Sequence, residues 1–239
     1  MRTDPAQHAD PEVIFFDLGS TLWDDYPAIK HMWNLARRLL ATHGVDVAFS
    51  DIETAATTVI HSYCPSLTRA TIWQLTGGDR AVYDDVLDKL VSDLITRQND
   101  PAEFKRLNPL FPGIHDLLGQ LGQRYRLGVI SQHFKQVKTW LTNYNLERYF
   151  EHLAVSGDVR LYKPDPRIYL SACAAMSVDP ARAMMVGDRL DNDIWPANRI
   201  GMTTVRVLSG PYRIQQPRYN RDEPDYTLEH TVELAEILL

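Results

Sequence analysis

Four short segments of the chain place polar side chains directly after runs of apolar residues. The segments are Asp17-Leu18-Gly19-Ser20-Thr21, Ser131 after Val129-Ile130, Lys163-Pro164, and Gly187–Asp193. Together they offer aspartate carboxylates at positions 17, 188 and 193, the ammonium of Lys163 and the hydroxyl of Ser131. A displacement at phosphorus assisted by Mg²⁺ needs such a set, because it uses oxygen ligands for a hard cation, a nucleophile and a counter-charge.

Each segment alone is weak evidence for chemistry. An aspartate at the end of a strand is more often a turn former or a helix N-cap than a nucleophile. A single Lys-Pro pair is a surface loop in most proteins, and Ser131 alone would be a turn hydroxyl. The order of the segments and the strand before each one make the combination informative.

Strands and helices alternate around these segments. Short apolar runs rich in β-formers predict strands, and they are Val13–Phe16, Leu127–Ile130, Leu153–Val155, Met184–Val186, Thr203–Val207 and Tyr226–Leu228. Helical spacing occurs near 113–123, 134–144, 166–176, 192–199 and 231–238. This alternation predicts an α/β fold with a parallel sheet covered by helices on both faces. Ligands bind at the carboxyl ends of the strands in such sheets, which is where the polar segments fall.

A helical stretch interrupts this alternation after the first strand. Helical spacing predicts helices near 26–43, 50–63 and 79–97, and no strand is predicted between them. We therefore expect a core formed by residues 12–23 and 106–239 and a small all-helical domain formed by residues 24–105. The polar residues 1–11 are expected to form a disordered leader.

The four segments and their order resemble the haloacid dehalogenase (HAD) superfamily of hydrolases. The motifs are FFDLGSTL (15–22), VIS (129–131), KPDPRIY (163–169) and VGDRLDND (186–193), followed by IGM (200–202). The resemblance extends from Val13 to the C-terminus. It implies a Rossmann-like core, a mobile helical cap inserted after the first motif, and a phosphatase-like activity with Mg²⁺ on a small phosphate ester.

The resemblance also implies a role for each matching residue. Asp17 would attack phosphorus and form an aspartyl-phosphate, and Asp193 would orient Lys163 or a metal-bound water. The side chains of Asp17 and Asp188 and the main-chain carbonyl of Gly19 would bind Mg²⁺. The groups that would hold phosphate oxygens are Ser131, Lys163 and the backbone of the turn that contains Ser20 and Thr21.

Gly19 departs from the family pattern. Phosphatases of the family usually carry an aspartate two residues after the nucleophile, as general acid and then base. The candidate replacements are His133, although a surface histidine is the commoner interpretation, and a residue supplied by the helical cap. Two alternatives stay open: a dehalogenase-type hydrolase, which would need no metal, and an impaired HAD-fold protein that binds phosphate ligands without turnover.

Composition limits the other classes of function. The formal net charge is −6, which disfavours a nucleic-acid or anionic-membrane binder, since either needs a basic face. No apolar run approaches the roughly 18 residues of a membrane span. The cysteines, Cys64 and Cys173, lie in apolar helical contexts and are expected to be reduced, as in the cytoplasm. We expect a small phosphorylated molecule as the partner, and either a monomer or a homodimer.

Overall fold

A parallel sheet is the centre of the computed structural model, which describes residues 10–133 and 136–239. The sheet has six strands in the order β3-β2-β1-β4-β5-β6, and every neighbouring pair is parallel. The strands are β1 (Val13–Phe16), β2 (Arg126–Ser131), β3 (His152–Val155), β4 (Ala183–Gly187), β5 (Thr203–Val207) and β6 (Tyr226–Leu228). The predicted α/β fold with a parallel sheet is confirmed.

Strand β1 occupies the middle of the sheet because all of its residues are apolar. Val13, Ile14, Phe15 and Phe16 are each 0% exposed. Phe16 is in register with Val129 of β2 on one side and with Val186 of β4 on the other. The chain order reverses between β1 and β4, and the crevice at such a switch point is the usual ligand site of open α/β sheets.

The chain separates into two compact units. One combines the chain up to Asp24 with Leu110–Leu239, and the other is Asp25–Pro109. The first unit contains the sheet. The assignment of the two units as catalytic core and cap remains a prediction.

The unit Asp25–Pro109 is all-helical. Its helices are α1 (Tyr26–Thr42), α2 (Phe49–His61), α3 (Leu67–Leu75), α4 (Arg80–Gln98) and α5 (Pro101–Leu107). Apolar side chains from α1, α3 and α4 form its core, with Leu40, Ile72 and Leu90 each at most 2% exposed. The sequence did not predict α3 and α5, since both are too short to show a clear helical period.

The helices of the sheet-containing unit are also short. They are α6 (Ile114–Leu121), α7 (Val137–Asn143), α8 (Ser156–Val159), α9 (Pro166–Ala175), α10 (Trp195–Arg199) and α11 (Leu234–Leu238). Residues 1–9, most of the predicted leader, and residues 134–135, the start of the predicted helix 134–144, lie outside the described residues. Within the described part of the chain, no helix combines the length and apolar character needed to cross a membrane.

Candidate active site

Asp17 directly follows Phe16, the last residue of β1, and its backbone still pairs with β4. The backbone N–H of Asp17 donates to the carbonyl of Val186 at 2.9 Å. Its carboxylate oxygen Oδ1 accepts from the hydroxyl of Ser131 at 3.1 Å and from Nζ of Lys163 at 2.8 Å. Ser131 ends β2, so the parallel register brings these two side chains to the same edge of the sheet.

Lys163 connects two of the candidate carboxylates. Its Nζ donates to Oδ1 of Asp17 at 2.8 Å and to Oδ1 of Asp193 at 2.5 Å, and its side chain is 1% exposed. Burial lowers the pKa of Lys163, but the two carboxylates outweigh this effect and raise the pKa above its ordinary value. The two carboxylates therefore favour the charged ammonium although the side chain is buried.

Asp193 approaches the backbone of β4 closely. Its Oδ2 accepts from the N–H of Arg189 at 3.0 Å. A Cβ atom on Gly187 would lie 2.5 Å from Cγ of Asp193, so the end of β4 has no room for a side chain. Burial raises the pKa of the Asp193 carboxyl to about 6, and the neighbouring charge of Lys163 opposes this rise.

The carboxylates of Asp17, Asp188 and Asp193 form a cluster that could hold a cation. Each offers one oxygen, and these oxygens lie within 4.8 Å of one another. Both oxygens of Asp193 already accept hydrogen bonds, one from Lys163 and one from the N–H of Arg189, so Asp193 has little capacity left for a cation. Carboxylate oxygens are the donors that Mg²⁺ prefers, so the residues present fit this ion.

The turn after Asp17 has an unusual backbone. Ser20 adopts a left-handed φ of 53°, whereas Gly19 is not among the described residues with positive φ. The N–H of Thr21 donates to the carbonyl of Leu18 at 3.2 Å, which occupies one donor of the predicted phosphate-binding turn. The hydroxyl Oγ1 of Thr21 is buried and has no hydrogen-bond partner among the described residues.

His133, the candidate replacement acid, packs against aromatic side chains. Its ring contacts Trp140 edge-on at 5.4 Å between centroids and lies 6.4 Å from the ring of Trp23. Burial lowers the pKa of the imidazole, and the charge of Lys163 adds to this, while Asp17 acts in the opposite direction. A lowered pKa reduces the protonated fraction of the imidazole, which does not favour His133 as the acid.

Sequence reasoning missed several side chains near the cluster. Arg189, Asp191 and Gln215 form a buried hydrogen-bonded group next to Asp188. Arg189 and Asp191 belong to the fourth motif, and their spacing could have suggested an ion pair. Gln215 lies outside every motif, and no sequence signal marks it.

Comparisons with known proteins agree on one family. The family model of the haloacid dehalogenase-like hydrolases matches residues 11–201. A glyceraldehyde 3-phosphate phosphatase from Methanopyrus kandleri is 29% identical over 95% of this chain and 97% of its own length. One from Pyrococcus abyssi is 32% identical over 81% of this chain and 80% of its own length.

A solved structure gives the same fold. The crystal structure of a predicted phosphoglycolate phosphatase from Haemophilus somnus 129pt superimposes with a TM-score of 0.73 at 18% sequence identity. The match covers 96% of this chain and 98% of the other. At this identity the likeness shows the fold alone.

Proposed function

The chain belongs to the haloacid dehalogenase-like hydrolase family, and we propose that it is a magnesium-dependent phosphatase that acts on a small phosphate ester through a phosphorylated Asp17. The match over residues 11–201 confirms the resemblance stated from the motifs. The observation that carries the proposal is the contact of Lys163 with both Asp17 and Asp193, beside Asp188. This arrangement supplies a nucleophile, a fixed counter-charge and oxygen ligands in one place.

Asp17, Asp188 and the carbonyl of Gly19 would hold the ion. When bound, Mg²⁺ offsets the negative charge of the carboxylates and of the phosphate group, so that two anions can approach each other. Lys163 adds a second positive charge that the protein itself supplies. Ser131 and Lys163 would orient phosphate oxygens beside Asp17, and Thr21 would offer its hydroxyl.

The reaction would run in two displacements. In the first, a carboxylate oxygen of Asp17 forms a bond to phosphorus while the bond from phosphorus to the leaving oxygen breaks. In the second, water attacks the phosphorus, the bond to Asp17 breaks, and inorganic phosphate is released. Gly19 provides no acid, so the leaving oxygen takes its proton from solvent or departs as an anion.

The relatives suggest which ester to test first. The two glyceraldehyde 3-phosphate phosphatases match 95% and 81% of the chain, so a triose phosphate is the first candidate substrate. We would measure phosphate release from triose, sugar, acyl and nucleotide phosphates with Mg²⁺, with Asp17→Asn as the control. Phosphate release from none of these compounds would contradict the phosphatase assignment.

Gly19 is the one observation that favours a second activity. Dehalogenases of the family also lack an aspartate at this position, and they need no metal. A dehalogenase would therefore keep its activity in a chelator, whereas the proposed phosphatase would lose it. Binding of phosphate compounds without turnover would instead indicate a protein that has lost catalysis.

A further inference from the structure

A partly buried polar cluster joins the Asp188–Ile194 loop to the segment that follows β5. We call it the Gln215 cluster, and it consists of Arg189, Asp191, Tyr212 and Gln215. All four residues belong to the unit that contains the sheet. The cluster matters because the loop carries both Asp188 and Asp193.

Gln215 uses both ends of its side-chain amide inside the protein. The residue is 0% exposed. Its Oε1 accepts from the N–H of Leu190 at 2.9 Å, and its Nε2 donates to Oδ1 of Asp191 at 3.1 Å. Leu190 begins a single turn of π-helix, where a backbone N–H has no partner within the turn. Gln215 therefore satisfies a backbone group that would otherwise be buried without a partner.

Arg189 neutralises Asp191. Its Nε and Nη2 donate to the two carboxylate oxygens of Asp191 at 3.1 and 2.6 Å. The guanidinium carbon also lies 4.0 Å from the ring centroid of Tyr212. Because both oxygens of Asp191 are engaged, this carboxylate is not available to a cation held by Asp17 and Asp188.

The same residues fix the two ends of the loop. The N–H of Arg189 donates to Oδ2 of Asp193 at 3.0 Å, and the N–H of Asp193 donates to the carbonyl of Arg189 at 2.9 Å. Asp188 precedes Arg189 directly. A shift of Arg189 or Leu190 would therefore move both Asp188 and Asp193, and Asp193 is the residue that contacts Lys163.

We propose that Gln215 is a positioning residue for the divalent-cation site, acting through Leu190 and the Arg189–Asp191 pair. The inference rests on the proposed function, since it presumes that Asp17 and Asp188 bind the cation. Some residues orient metal ligands without contacting the metal themselves. Replacing such a residue commonly weakens metal binding by about 10- to 100-fold. We expect a loss in that range for changes at Gln215.

The test is the binding of Mn²⁺ alone, with free Mn²⁺ measured by electron paramagnetic resonance. Gln215→Glu keeps the shape of the side chain but turns a second acceptor toward Asp191, and Gln215→Leu removes both hydrogen bonds. Gln216→Leu is the matched control, because Gln216 is the adjacent exposed glutamine. Asp188→Ala reports on the cation site itself. Thermal unfolding of each variant without metal shows whether the fold is intact.

Weaker Mn²⁺ binding by about tenfold or more in Gln215→Glu, with unchanged binding in Gln216→Leu, would support the inference. If Gln215→Leu does not fold, Gln215→Glu decides. Unchanged Mn²⁺ affinity in a folded Gln215 variant, together with lost binding in Asp188→Ala, would overturn the positioning role and leave the cation site standing. Absence of Mn²⁺ binding in the wild type would overturn both.

Discussion

The charges at the centre of the site do not balance without a cation. Among the described residues, Asp17 and Asp193 contact the ammonium of Lys163 and Asp188 lies close to both carboxylates, so these four groups carry an excess of two negative charges when all three carboxylates are ionised. Burial raises the pKa of Asp193 to about 6, and the charge of Asp17 adds to this rise while Lys163 opposes it. A divalent cation would remove the excess charge, and this is the physical reason for expecting Mg²⁺.

Asp188→Ala tests whether Asp188 is a ligand of the proposed Mg²⁺. Removing this carboxylate should raise the Mg²⁺ concentration for half-maximal activity by about 10-fold or more, since an oxygen ligand is lost. The measurement is phosphate release against Mg²⁺ concentration. Asp116→Ala, at an exposed aspartate of α6, is the control and should leave the curve unchanged. An unchanged curve in Asp188→Ala would remove Asp188 from the proposed ligands.

The glycine at position 19 predicts that the rate of phosphate release depends on the pKa of the leaving group. Without an acid at this position, the rate should fall steeply as the pKa of the leaving group rises, and Gly19→Asp should selectively restore alkyl phosphates, by up to about 10²-fold. The backbone of Gly19 is not in the left-handed region of positive φ, so an aspartate at this position would not strain the backbone. The measurement is the rate over a series of aryl and alkyl phosphates. A flat wild-type series would mean that another group already donates the proton.

Most of the candidate site could be predicted from the sequence at this scale. The sequence predicts that Asp17, Ser131 and Lys163 converge at the strand ends, and Ser131 and Lys163 both lie within hydrogen-bonding distance of Asp17. Lys163 does so although α8 separates it from the end of β3. Their catalytic roles remain predictions. Gln215 could not be predicted, because its contact with Leu190 depends on the path of a loop without regular structure.

At the scale of elements, the end of β4 decides how closely Asp193 can approach. Strand β4 pairs with β1 in a register that sets Val186 beside Phe16, so the next residues, Gly187 at the end of β4 and Asp17 just after β1, lie at the same edge of the sheet. Gly187 has no side chain, and the carboxylate of Asp193 occupies the space where one would be. The strand end and the loop after it therefore form one packed unit.

Gly187→Ala should disrupt this packing. The new methyl carbon would lie 2.5 Å from Cγ of Asp193, so Asp193 must move away from Lys163. We expect a loss of about 1–3 kcal/mol in the free energy of unfolding, measured by denaturant titration, and about 10- to 100-fold lower activity. Gly119→Ala in α6 is the matched control. Its added carbon meets only Tyr149 at 3.9 Å, so stability should be unchanged or slightly higher. Equal behaviour of the two variants would contradict this account.

The elements differ in how well their sequence predicts them. The residues of β1 and β5 match the prediction, because each is a short run of β-formers with no competing helical period. Helix α5 was missed because it spans only seven residues. The residues at its start are nevertheless typical of a helix N-terminus. Asp100 accepts from the N–H groups of Ala102 and Glu103, and Pro101 occupies the first turn.

At the scale of the whole molecule, each compact unit has a core of its own. In the helical unit the core includes Ala36, Leu40, Ile72, Val86 and Leu90. In the sheet-containing unit a separate cluster surrounds β1 and α9. The proposed cation site belongs to the sheet-containing unit, so the stability of the helical unit and the cation affinity of the site should respond to different substitutions.

Leu90→Ala tests this separation. Leu90 is 2% exposed, so truncation should lower the free energy of unfolding by about 2–5 kcal/mol and leave Mn²⁺ affinity unchanged. Ile95→Ala on the same helix is the control, since Ile95 is 48% exposed and its truncation should change stability by less than about 0.5 kcal/mol. Both are measured by thermal unfolding and Mn²⁺ titration. A large loss of Mn²⁺ affinity in a folded Leu90→Ala protein would show that the two units are energetically coupled.

The central claim is that Asp17 is the nucleophile of a magnesium-dependent phosphatase. The most direct measurement is phosphate release from glyceraldehyde 3-phosphate by the wild type and by Asp17→Asn, each with Mg²⁺ and with EDTA. We predict turnover by the wild type with Mg²⁺ only, and a rate on the order of 10³-fold lower or less in Asp17→Asn with an unchanged circular dichroism spectrum. Phosphate release by Asp17→Asn at a rate close to that of the wild type, or full wild-type activity in EDTA, would contradict the account.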